Sequence, residues 1–330
     1  MSKRSSLNGS LDAAPVTKRI RFICVPSDVE KELAKKAYNE ILEQYQGQIL
    51  PPHHPLTLYI RAIFFRLLQA SNLGRLKDDN EMERGDYSYG APAEEIQDPT
   101  YGGRAPKEWK LLVVNSNEMN AMAAFDTIIV YTGILPIASD EDTLAGVLAH
   151  EIGHVVARHH AETLSRNLLG FSVIVLASIL TNAWLLVFYN WFGNLAGLPN
   201  SRRQESEADH IGLLIASRAC FNPTGLANFQ YRMAELEARQ GRLPSAGFLD
   251  THPPSAQRAK ELEALIPKGL EIAAENGCGD LTSYRTGFDD ALSSIFGRRR
   301  WGRVPLTVTY PNDRQGSIII EVEDNGGRHV

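Results

Sequence analysis

Apolar residues recur at helical intervals over several long stretches of the chain. From Ser27, the positions Val29, Leu33, Ala37, Ile41 and Leu42 share one helical face and predict a first helix to about Tyr45. Ser27 and Glu30 have the spacing of a capping box at its start. After Pro51, Pro52 and Pro55, the set Leu56, Ile60, Ile63, Phe64 and Leu67 predicts a second helix from Leu56 to Ala70. Leu144, Val147, Leu148, Ile152, Val155 and Val156 predict a third, started by Ser139 with Asp142 three residues on and sustained to about Ser165. Further helices are expected at about Arg203–Ala216, Thr224–Gln240 and Ser255–Leu265. Trp109–Val114 and Thr127–Tyr131 read as short strands, as do Leu306–Tyr310 and Ser317–Val322 around a Pro311-Asn312-Asp313 turn. The pattern therefore predicts a mainly α fold with a small β-sheet, whose edge near Asn120–Ala124 could pair with an extended peptide.

Three stretches break this pattern. Residues 1–21 carry several serines and basic residues but no apolar run, so a flexible tail is expected there and a secretory signal is not. Gly74 to Pro106 is polar and acidic with interspersed Gly and Pro, and reads as a mobile surface insertion (74–106) within a domain spanning 22–296. Residues 297–330 form a C-terminal tail, basic and aromatic at Arg298–Arg303, that holds the last strand pair. From Asn167 to Ser201 there is no charged residue, and Leu168 to Phe192 is mostly apolar. Nothing upstream of His150 is an uncharged apolar run of membrane-spanning length.

Composition narrows the function. The 330 residues are 43% hydrophobic and 22% charged with a net charge of -5. That balance excludes a polytopic membrane protein, a collagen-like chain and a strongly basic nucleic-acid binder. Three cysteines, Cys24, Cys220 and Cys278, show no CxxC spacing, so any metal must be held by histidines and carboxylates.

The chemistry concentrates in the third helix, where His150-Glu151-Ile152-Gly153-His154 is an HExxH motif. Four-residue spacing puts both imidazoles on one helical face, as two ligands of one tetrahedral zinc require. Glu151 lies beside them as a general base for water whose pKa zinc lowers to about 7. A third ligand is needed. His160 stands six residues beyond His154, too far along a continuing helix to close the site, so His159 and His160 read as exposed helix residues. Glu205 and Asp209, four apart on a downstream helix, fit better: Glu205 as ligand, and Asp209 orienting a ligand histidine through its other ring nitrogen. Glu207 points away from that pair.

HEIGH, followed by Ser201-Arg202-Arg203-Gln204-Glu205-Ser206-Glu207-Ala208-Asp209 and by Thr251-His252-Pro253-Pro254 with Arg258, resembles the gluzincin peptidases that include HtpX and the CAAX prenyl endopeptidase. Within them, Phe22 to Ile266 is similar to the OMA-type mitochondrial inner-membrane metalloendopeptidases. The resemblance implies a gluzincin metallopeptidase fold with a membrane-associated helical insert and one zinc per chain, held by His150, His154 and Glu205. Glu151 becomes the base, and His252 and Arg258 would steady the substrate carbonyl, the oxyanion or the ligand helix. It further implies cleavage of membrane proteins on the intermembrane-space side of the inner membrane, in quality control and in stress-activated processing of dynamin-like fusion GTPases. The partners it implies are protein or peptide substrates and the bilayer, with no nucleic acid and with a homo-oligomer as an option. A catalytically inactive, membrane-bound scaffold retaining the fold is the alternative.

The zinc site constrains the apolar insert. His154 precedes residues 167–201 and Glu205 follows them, so one full crossing would separate the ligands across a bilayer, and two need about 40 residues plus a turn. A hairpin or in-plane segment broken near Thr181-Asn182 is expected, with contact to lipid through 168–192; a hairpin buried in the core is the alternative. In the compartment implied by the resemblance, Cys220 and Cys278 could pair, tying the ligand helix to the C-terminal block. Two separately buried thiols are the other reading.

Overall fold

The apolar-periodic segments form helices close to where the spacing places them. The computed structural model describes residues 10–77, 108–181, 202–240, 252 and 256–279. In chain order these form β1 (Ser10–Ala13), β2 (Ile20–Ile23), α1 (Ser27–Gln44), α2 (Pro55–Ala70), β3 (Arg75–Leu76), β4 (Glu108–Val114), β5 (Ala121–Ala124), β6 (Thr127–Tyr131), α3 (Glu141–Val156), α4 (His159–Thr181), α5 (Arg202–Arg218), α6 (Thr224–Gln240) and α7 (Ala256–Glu275). The result is mainly helical with two small sheets. One is the β1-β2 hairpin; the other has the order β3-β4-β6-β5, parallel except where β5 runs against β6, which leaves β5 on an edge.

The core forms around α3, whose residues from Thr143 to Val156 are all buried. A helix covered on every face needs neighbours all round. The sheet and α2 supply part of that cover, with Phe64 edge-on to Trp109 and the Trp109 indole donating to the Leu73 carbonyl. The rest comes from α5 and α6 at unusually close range. A Cβ on Gly153 would lie 2.8 Å from the Ala208 carbonyl oxygen, and one on Gly212 would lie 2.8 Å from the His150 nitrogen. Two glycines thus let the backbones of α3 and α5 nearly touch.

Several expectations are corrected. Residues 10–21 belong to an ordered hairpin rather than a tail. Its Arg21 is buried, and its guanidinium donates to the Ala157 carbonyl at the end of α3 and to Asp12. Pro26, not Ser27, occupies the N-cap of α1, with no side-chain cap; Asp140, not Ser139, caps α3 by accepting from the Thr143 nitrogen at 2.8 Å. The third helix does not reach Ser165. It stops at Ala157, Arg158 takes a left-handed φ of 54°, and α4 starts afresh at His159. Glu30 holds the Arg158 guanidinium at that corner. Arg75–Leu76, expected in the insertion, instead pairs with β4, and α7 runs on through Pro267 to Glu275. The remaining insertion from 78, the tail strands and the segment 182–201 lie outside the described residues. Among the described residues no helix is long and apolar enough to cross a membrane.

Cys220 and Cys278 form a disulfide with a Cα–Cα distance of 5.3 Å and a sequence separation of 58. Cys220 sits just past α5 at a left-handed φ of 58°, and the bond ties that corner to the end of α7.

Candidate metal centre

Close contact between α3 and α5 brings His150, His154 and Glu205 together, and His252 joins them from beyond α6. Each offers a donor atom within 4.8 Å of the others, and all four side chains are buried. His150 Nε2 is 3.0 Å from His154 Nε2 and 3.4 Å from His252 Nδ1. Glu205 carboxylate oxygens lie 3.5 Å from His150 Nε2, 3.4 Å from His154 Nε2 and 3.0 Å from His252 Nδ1. Ligand bonds of about 2.0–2.2 Å at tetrahedral angles put donor atoms about 3.3–3.6 Å apart. Three of the five separations lie in that range and two, at 3.0 Å, fall short of it, so the set forms a cage of about the size, and with the nitrogen and oxygen donors, that a metal ion needs. Two imidazole nitrogens aimed at each other and at a carboxylate satisfy one another poorly without a cation between them.

The surroundings fix these donors in orientation. Asp209 Oδ1 is 2.8 Å from His150 Nδ1, which leaves Nε2 for the cluster. Arg258 clamps Asp209 with two bonds of 2.7 and 2.8 Å, and its third nitrogen reaches Glu205 Oε2 at 3.0 Å. Burial would raise the Glu205 carboxyl, but His252, His154 and His150 overcome it and hold the group well below the usual carboxylate range. Asp209 is likewise held down against burial by Arg258 and His150. Burial also lowers the His154 imidazole well below its ordinary range, which favours the neutral form that ligates. Arg258 thus faces two carboxylates, and the excess negative charge suits a divalent cation.

Glu151 stands apart from the cage. Burial pushes its carboxyl above the ordinary range, against the opposing effect of His252 and His150. Its Oε1 makes no hydrogen bond among the described residues and lies 3.5 Å from His252 Nε2. A carboxylate with a free lone pair beside the cage is placed to take a proton. The edge strand β5 packs against α3 near this point.

The residues assigned a role in the site from the sequence, His150, His154, Glu205, Glu151, Asp209, His252 and Arg258, lie in or against this cluster. His159 differs from expectation. It is fully buried, its ring nitrogens facing His154 Nδ1 at 2.8 Å and Glu207 Oε2 at 3.0 Å, because the break at Arg158 turns it inward. His160 is half-buried and stacks near Phe125, with ring centroids 5.3 Å apart. Glu207 does point away from the cage, as its spacing implies, but into the protein.

An HExxH helix backed by a carboxylate helix defines the class: a helical metallopeptidase of the gluzincin type. Residues 96–266 match peptidase family M48. The chain is 34% identical to the mitochondrial metalloendopeptidase OMA1 of Saccharomyces cerevisiae, over 84% of its own length and 75% of that protein. With the mitochondrial metalloendopeptidase OMA1 of Schizosaccharomyces pombe it shares 33% over 81% and 70% of the two chains. Against the human metalloendopeptidase OMA1 the identity is 25%, and the match spans 49% of that longer protein. The chain belongs to peptidase family M48, as a protease of the OMA1 type, and is a metalloendopeptidase. The inactive scaffold is thereby set aside.

Proposed function

We propose that the chain is a zinc-dependent endopeptidase that hydrolyses peptide bonds of membrane-associated proteins. The observation that carries this reading is the convergence of His150, His154 and Glu205 donor atoms, 3.0–3.5 Å apart, beside a Glu151 oxygen that no described residue hydrogen-bonds. Zinc held there would supply a Lewis acid for the scissile carbonyl and would acidify water. Glu151 would accept a proton from the attacking water and return it to the leaving amine. Arg258, engaged with Asp209 and Glu205, steadies the ligand helix rather than the substrate. A hydrolytic site keeps one position open. His252 is the donor without a helix under it, so we assign it to the substrate side, where Nε2 can stabilise the oxyanion. The outer edge of β5, which no described strand pairs, offers backbone pairing to an extended peptide, which orients the scissile bond.

The setting is proposed on the relatives and on the apolar insert. OMA1 proteins are named as mitochondrial. We place this chain at the inner membrane, facing the intermembrane space, in protein quality control and stress-activated processing of dynamin-like fusion GTPases. Leu168 and Leu169, on α4 where the apolar run begins, are 39% and 47% exposed, which suits lipid contact better than a core hairpin. The test is hydrolysis of a quenched-fluorescence peptide by zinc-loaded protein. Activity removed by chelation and restored by zinc is expected; turnover that survives exhaustive chelation would refute the reading.

A further inference from the structure

Beyond the cage lies a second cluster, in which His159, Glu162 and Glu207 bring donor atoms within 4.8 Å of one another. It is not read as a second metal site, because Arg19 and Arg21 already pair with its two carboxylates. The Arg19 guanidinium lies 2.6 and 2.7 Å from the two oxygens of Glu162 and 2.8 Å from Glu207 Oε2. The Thr17 hydroxyl donates to the other Glu207 oxygen. Both residues come from the turn joining β1 to β2, and the hairpin is also held to α4 where Ser165 Oγ accepts from the Cys24 nitrogen at 2.9 Å.

The hydrogen-bond directions in this cluster run toward the cage. His154 turns Nε2 to the cage, so its Nδ1 must carry the proton. That proton can go only to an acceptor, which assigns His159 the tautomer with a bare Nδ1 and a protonated Nε2. Nε2–H of His159 then donates to Glu207, whose carboxylate is fixed by Thr17 and Arg19. Each link has one donor and one acceptor in the required sense. His150 has its orienting carboxylate in Asp209; His154 reaches one through an intervening imidazole.

We propose that His159 and Glu207 are positioning residues for the ligand His154, and that the N-terminal hairpin, through Thr17 and Arg19, holds this relay in register. The metal centre is thus tuned from a segment more than a hundred residues upstream of its ligands. This inference rests on the zinc reading above.

The experiment is zinc affinity of the full chain, measured by competition with a chromophoric chelator, for H159N, H159Q and R19Q. The Asn oxygen falls where Nδ1 of the imidazole stood and can accept from His154. The Gln amide nitrogen replaces Nε2 and keeps the link to Glu207, but leaves His154 without an acceptor. H159Q is expected to bind zinc about 10–100-fold more weakly, the range for loss of an outer hydrogen-bond partner, while H159N stays within about threefold of the parent. The visible spectrum of the cobalt-loaded protein should change in H159Q and be preserved in H159N. A purely structural role predicts the reverse order, because Gln is nearer to His in volume. R19Q should weaken binding in the parent and add nothing in the H159Q background, since both act along one path.

Melting temperatures of the zinc-free variants are read alongside. Affinity that follows those temperatures rather than the acceptor, or equal affinities for H159N and H159Q, overturns the proposal. An R19Q loss that is the same in both backgrounds overturns the hairpin's part in it. A parent chain that takes up no zinc refutes the functional reading and this inference together, whereas normal uptake with indifferent variants refutes this inference alone.

Discussion

Replacing Gly212 by alanine sets two effects of known size against each other. In a helix interior the change is favourable by about 1 kcal/mol, because alanine loses less backbone entropy on folding. Against this, the new Cβ would stand 2.8 Å from the His150 nitrogen and 3.0 Å from the carbonyl carbon and oxygen of Ala149. These are backbone atoms of α3, so none can rotate aside. Ordinary carbon contacts begin at about 3.5 Å, so α5 must retreat by roughly 0.7 Å. Overpacking of this kind costs about 1–3 kcal/mol, and rigid neighbours put it toward the upper end. The net loss is about 1–2 kcal/mol, or roughly 2–8 °C in melting temperature for a domain of this size.

The larger consequence falls on chemistry. The same retreat draws Asp209 from its 2.8 Å contact with His150 and Glu205 from the two histidines. Misplacement of about 1 Å can cost about a hundredfold in rate, so this shift should lower peptide hydrolysis by at least about tenfold. Thermal melting of the zinc-free protein and peptide hydrolysis under zinc titration measure the two effects separately. A higher melting temperature with undiminished hydrolysis would refute the close-approach argument.

Other expected outcomes can be checked independently. Glu151→Gln should keep its zinc and lose about 10²–10⁴-fold in hydrolysis, since it removes a base without removing a ligand; undiminished turnover would contradict that role. Arg258→Met should lose about 3–5 kcal/mol in denaturant unfolding, because Asp209 and Glu205 would be left buried without their cation; a change below about 1 kcal/mol would show the clamp to be dispensable. Cys220→Ser with Cys278→Ser should lose about 4 kcal/mol, the loop-closure value for a separation of 58, and an unfolding midpoint insensitive to reductant in the parent would exclude the bond. Deleting 168–192 should abolish carbonate-resistant pelleting with membranes, and equal pelleting would remove the proposed lipid contact.

Features set by local spacing were legible in the sequence. α2, α6 and β6 lie where their apolar periods place them, and HExxH carries its own geometry because helical spacing alone aligns His150 with His154. Glu205 and Asp209 were legible for the same reason. Arg158 was not, because nothing marks an arginine for the left-handed region; its φ is held by tertiary contacts such as the ion pair with Glu30. That one residue decides whether His159 faces solvent or His154. The hairpin at 10–23 was hidden as well, since Ser10–Ala13 has no strand-forming composition and is ordered by the partners of Arg19 and Arg21 far along the chain. Gly153 and Gly212 could be seen as glycines, but the sequence does not say which helix they admit.

The central claim is that one zinc ion is held by His150, His154 and Glu205. Anomalous diffraction at the zinc edge from crystals of the zinc-loaded protein tests it most directly. The account predicts a single peak about 2.0–2.2 Å from Nε2 of His150, Nε2 of His154 and a carboxylate oxygen of Glu205. A peak among His159, Glu162 and Glu207, or no peak between the HExxH histidines, would contradict it.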